Sequence, residues 1–81
     1  MKINILSFAL ALGILWGVGV FSLVLMATYA DYAVNVVALL SDLYYGVQEG
    51  ILGAFIGAAW GFSDAFIGGA VFAWVYNKLS A

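Results

Sequence analysis

The chain has 81 residues, of which 68% are apolar, 17% aromatic and 7% charged; it carries a formal net charge of −2 and no Cys, His or Pro. A water-facing surface draws on roughly a quarter charged residues, so this composition cannot clothe a soluble domain. Without Cys or His there is no thiol chemistry, disulfide framework or ordinary zinc or haem site, and two lysines without arginine exclude nucleic-acid binding.

The charges divide the chain. After Lys2 the next is Asp31, followed by Asp42 and Glu49, and then only Asp64 before Lys78. Residues 3–30 and 50–77 each form a stretch of 28, enough at about 1.5 Å per residue to cross a hydrocarbon layer of roughly 30 Å. Span one is read as about residues 5–29 and span two as about 50–76. Backbone in lipid must satisfy its own hydrogen bonds and two segments cannot close a barrel, so both are helices. The fold class is an all-α membrane protein, a single domain over residues 1–81 built as an antiparallel helical hairpin. Met1-Lys2 ahead of an apolar run also suits a signal peptide, but the run exceeds the about 7 to 15 residues of such a core. With both lysines near the ends and three carboxylates in the connection, the positive-inside rule puts both termini in the cytoplasm.

The connection reads DYAVNVVALLSDLYYGVQE. At helical spacing Asp31, Asn35, Asp42 and Glu49 fall on one face, with Tyr32, Val36, Leu39, Leu40 and Leu43 roughly opposite. The pattern predicts a short amphipathic helix over about residues 32–45 lying in the outer interface. Asp31 would sit near its start, where a carboxylate is favoured, and Gly46 would end it. Tyr29, Tyr32, Tyr44 and Tyr45 would make an aromatic belt there, with Trp74 and Tyr76 at the other side.

Span two carries small residues at every fourth position, Gly53, Gly57, Gly61, Ala65, Gly69 and Ala73, widened by Gly68; span one carries Ala9, Gly13 and Gly17. Such small-xxx-small rows let helix backbones approach in lipid, where little hydrophobic force acts between helices. The longer row exceeds what span one alone requires, which implies a second partner, most simply another copy of the chain. A Gly-x-x-Trp-Gly pentapeptide occurs in each span, at Gly13–Gly17 and Gly57–Gly61, and the two would be related by a pseudo-two-fold axis in an antiparallel hairpin. Trp16 and Trp60 lie deep in their spans, where each indole N–H needs an acceptor.

Asp64 is the one carboxyl inside a span, at its middle. An ionised Asp at that depth costs about 2.5 to 3.5 kcal/mol on insertion scales, so such residues are rare and usually functional. It is expected on the glycine face, with Trp60 one turn earlier and Ser63 beside it. Two roles fit: an interhelical hydrogen-bonding group, accepting from Trp16 or Trp60, or a proton or ion site.

Residues 57–77, GAAWGFSDAFIGGAVFAWVYN, resemble the second helix of small two-span bacterial proteins filed as holin-like. The likeness falls on Gly57, Trp60, Gly61, Phe62, Asp64, Phe66, Gly68, Gly69, Phe72, Ala73, Trp74, Tyr76 and Asn77, and departs at Ala65, where the family has Gly. The resemblance implies a self-associating pore or scaffold. In length, hairpin and central carboxyl the chain is also similar to the rotor-ring subunit of ATP synthases, but the connection lacks that family's Arg-Gln-Pro. The leading expectation is a homo-oligomer packed through the glycine face; the alternative is a small accessory subunit among the larger subunits of an energy-transducing complex. The lipid bilayer is the other partner. No nucleophile–base pair or ligand set is assembled, so no enzyme activity, catalytic residue, metal or cofactor is expected.

Overall fold

The computed structural model describes residues 2–80. They form three helices: α1 (Ile5–Ala30), α2 (Val34–Leu43) and α3 (Ile51–Leu79). The two long helices, each long and apolar enough to cross a bilayer, run antiparallel as a hairpin with α2 between them in sequence, the arrangement of a small membrane protein.

Asn4 starts α1 by accepting a hydrogen bond from the Ser7 N–H at 2.9 Å, which serves one of the orphan donors of the first turn. Asp31 ends α1, in the left-handed region at φ 52°. Asp reaches that region more easily than most residues because its short polar side chain bonds locally. The carboxylate expected to open the middle helix therefore closes the first one. The N-cap of α2 is Ala33, itself left-handed at φ 59°. At the far end, Asn77 of α3 clasps the chain start: its side-chain oxygen accepts from the Ile3 N–H at 2.7 Å and its amide donates to the Ile3 carbonyl at 2.8 Å. Ile3 and Asn77 thus lie together at one end of the hairpin. Lys78 stands 5.6 Å from the Trp74 ring centre there, in the last turn of α3, where a cation opposes the helix dipole.

Small residues set the α1–α3 seam. Ala9, Gly13 and Gly17 are buried on α1, as are Gly57, Gly61, Gly69 and Ala73 on α3. A Cβ added to Gly17 would lie 3.1 Å from the Ala58 carbonyl oxygen, one on Gly61 3.1 Å from Val20, and one on Gly69 3.2 Å from the Ala9 Cα. The two Gly-x-x-Trp-Gly pentapeptides cross here, Gly61 close to the Trp16 carbonyl. Phe8 stacks on Phe72 at 5.5 Å between ring centres, and Phe21 meets Phe55 edge-on at 5.0 Å; both pairs bridge the seam.

The middle segment departs from the expected interfacial helix. α2 does not lie across the end of the hairpin but turns back alongside it. Val37, Leu40, Tyr44 and Val47 are buried in one cluster with Val20, Val24, Ala27 and Ala54, and Tyr44 reaches Asp64, about 20 Å along α3 from Ile51 at about 1.5 Å per residue. The molecule accordingly measures 47 × 18 × 17 Å, one long helix by about two helix widths. Val36, Leu39 and Leu43 face outward as the sequence pattern expects, whereas Leu40 turns inward. Asn35 and Asp42 are exposed on α2, but Glu49 lies beyond it, so the four-residue polar face does not exist as one surface.

From Tyr44 the chain climbs back to the start of α3. The helix has already stopped at Leu43, so Gly46 does not end it; at φ 88° it turns the chain two residues later. Gly50, at φ 115°, donates its N–H to the Thr28 hydroxyl at 2.7 Å, and that hydroxyl donates to the Val24 carbonyl at 2.8 Å. The return segment lies directly on the glycine face of α3. Any side chain at Gly53 would collide with the Gln48 backbone, and a Cβ at Gly57 would lie within 4 Å of Val47 as well as 2.9 Å from Val20. The glycines of the row, read from sequence as a sign of a second copy, are thus met within the chain, Gly53 and Gly57 by the return segment and Gly61 and Gly69 by α1. Gly68 is the exception, since a Cβ there would meet nothing within 4 Å.

Candidate functional site

The polar groups of the hairpin converge near the middle of α3. Asp64 does not lie in the α1–α3 seam; it stands exposed on the flank toward the end of α2. Its Oδ2 accepts a hydrogen bond from the Tyr44 hydroxyl at 2.6 Å. The Tyr44 oxygen in turn accepts from the Trp16 indole N–H at 3.4 Å, longer than an ordinary N–H···O bond and so a weak one. Trp60 donates its N–H to the Tyr45 carbonyl at 2.8 Å and lays its ring parallel to Tyr44, with centres 5.7 Å apart and planes 5° from parallel. The paired pentapeptides therefore aim both indoles at one dipeptide, Tyr44-Tyr45.

The arrangement follows from the cost of unpaired polar groups. Residues 44–50 have left the helix, and irregular backbone needs protein partners wherever water is absent. Trp60 supplies one to the Tyr45 carbonyl, and the Tyr44 N–H and Val47 N–H bond to the Leu40 and Tyr44 carbonyls. Tyr44, with one O–H to donate, directs it to the Asp64 carboxyl and accepts the Trp16 N–H on its oxygen. A hydrogen bond to a carboxylate is among the stronger kinds.

Of the residues singled out by sequence, Trp16, Trp60 and Asp64 meet around Tyr44. Trp16 and Trp60 do not donate to Asp64 itself. Ser63 lines the groove beside Asp64 and makes no hydrogen bond among the described residues. Ala65 and Gly68 border the carboxyl on its other side. Tyr44 is the residue sequence reasoning misplaced, as a member of the outer aromatic belt; Tyr45, at the level of Trp60, leaves that belt with it. The available signal was the Tyr-Tyr-Gly sequence at residues 44–46, a turn placed only ten residues after α2 begins, together with two indoles deep in their spans in need of acceptors.

Two grooves flank Asp64. One, of about 390 Å³, runs between Leu12, Leu15, Trp16, Ala65 and Gly68. The other, of about 320 Å³, is bounded by Leu43, Tyr44, Trp60, Ser63 and Ile67. Among the described residues no group of three or more His, Cys, Asp or Glu side chains could hold a metal ion. Comparison with protein-family models, curated proteins and solved structures finds no match.

Proposed function

We propose that this chain is an integral protein of a bacterial inner membrane, with both termini cytoplasmic, that associates laterally with copies of itself as a holin-like scaffold or pore. One observation carries the reading: Asp64, at the middle of an apolar helix, is exposed and has Tyr44 as its one hydrogen-bond partner among the described residues. A half-satisfied carboxyl facing acyl chains is costly, and a helix brought against it removes the exposure. The groove on the Trp16 side offers the seat. Gly68 borders it, where an added Cβ would meet nothing within 4 Å, and a small residue lets a second helix approach closely. The resemblance of residues 57–77 to holin-like second helices points to the same association. No catalysis is assigned, and accessory-subunit behaviour is the competing outcome.

Sedimentation or native mass analysis of the purified protein in mild detergent tests this reading. The wild type should be oligomeric, and Gly68→Leu should reduce it to single chains that keep their helix content. A wild type that is monomeric alone but co-purifies in fixed ratio with larger membrane subunits would replace self-association with the accessory role.

A further inference from the structure

The groove on the Tyr44 side of Asp64 is built differently from the one assigned to helix packing. Its walls combine a carboxylate with two aromatic rings, Tyr44 and Trp60, and one hydroxyl, Ser63, while Leu43 and Ile67 complete an apolar rim. Trp60 remains 41% exposed although one face is stacked on Tyr44, so part of its π surface stays open. The Tyr44 hydroxyl fixes one oxygen of Asp64 at 2.6 Å, and no cationic side chain is near: Lys78 lies on the Trp74 ring at the hairpin end.

We infer that this groove binds a lipophilic organic cation of the quaternary ammonium or phosphonium class, held by the Asp64 carboxylate and the Trp60 ring. The chemistry selects that class over a bare metal ion. A small hard cation needs about six oxygen ligands, whereas this groove offers the Asp64 carboxylate, Tyr44 and Ser63, with aromatic and aliphatic walls. A bulky, weakly hydrated cation loses little on leaving water and gains from the ring faces. The volume of about 320 Å³ falls at the lower end of the roughly 300–1,000 Å³ of ligand pockets. Such a ligand would reach the groove from the bilayer. The inference rests on the membrane location proposed above but not on self-association, since every wall belongs to one chain.

Binding of tetraphenylphosphonium to the full chain in lipid nanodiscs, followed by equilibrium dialysis against empty discs and by tryptophan fluorescence, tests the inference. The expected result is a saturable component of one cation per chain that tetraphenylborate, its anionic counterpart in shape, does not produce. Asp64→Asn, which keeps the shape of the side chain and removes its charge, should weaken it about tenfold or more. Trp60→Leu should weaken it several-fold, and Trp74→Leu, at the far end of α3, should leave it unchanged. Should Asp64→Asn lose helix content by circular dichroism, charge selectivity on the wild type and the Trp60 variant decide. Uptake that never saturates, equal saturable binding of the borate, or unchanged affinity in a folded Asp64→Asn variant overturns the inference. Because sedimentation in mild detergent reports association separately, a monomer that still binds the cation sinks only the scaffold reading.

Discussion

Ala33 carries the clearest local strain in the chain. It holds φ 59° at the start of α2, a conformation that costs an L-residue roughly 1–2 kcal/mol and glycine almost nothing. Ala33→Gly should therefore stabilise the fold by about 0.5–1 kcal/mol after the added freedom of the unfolded chain is deducted, seen as a higher midpoint of unfolding in mixed micelles. A lower midpoint would mean that the Ala33 methyl contributes packing that outweighs the strain. Tyr44→Phe keeps the ring on Trp60 and removes only the hydroxyl. It should cost about 1 kcal/mol or more by leaving Asp64 without its donor and Trp16 without its acceptor, and it should shift Trp16 emission; unchanged stability and emission would argue that the carboxyl is served by another group. At this scale Asp64 and the two indoles were legible because polar groups deep in an apolar run are rare. Tyr44 was not, because a tyrosine near a span end looks the same whether it anchors at an interface or folds inward.

Helices α1 and α3 were readable to within three residues at either end because uninterrupted apolar length dictates them. The path of α2 was not, since its amphipathic pattern fits an interface and the flank of a hairpin equally well. What decides between them is tertiary: Val37, Leu40 and Tyr44 find Val20, Val24 and Ala54, and a return segment finds a glycine face on which to lie. The small-residue row illustrates the same limit, because spacing shows that something packs there without showing whether it comes from the same chain. The positions now separate. Gly57→Leu should disrupt the hairpin itself, lowering its unfolding midpoint by an amount equivalent to about 1–3 kcal/mol, as overpacking does, because the new side chain meets Val20. Gly68→Leu, whose Cβ would meet nothing within 4 Å and whose longer side chain would lie in the open groove, should lower that midpoint far less. Equal destabilisation by both would place Gly68 inside the fold and remove the proposed seam.

As a whole the molecule is a two-helix hairpin whose connecting segment dips along its flank and whose ends are tied by Asn77 to Ile3. Asn77→Ala removes two hydrogen bonds of that tie and should expose the Ile3 amide to faster hydrogen exchange while residues 44–64 stay protected; loss of protection throughout would mean that the tie holds the entire hairpin. The central claim is that residues 44–46 lie at the level of Trp60 and Asp64, not at the membrane surface. Because the chain has no native cysteine, single nitroxide labels at Tyr32, Tyr45 and Trp74 in bilayers can measure this by their relative accessibility to oxygen and to a water-soluble nickel complex. The label at Tyr45, whose side chain points outward and is 79% exposed, should read as deep, with oxygen favoured strongly over nickel, while those at Tyr32 and Trp74 read as shallow. A label at Tyr45 as accessible to nickel as the one at Tyr32 would return the middle helix to the interface and contradict the account.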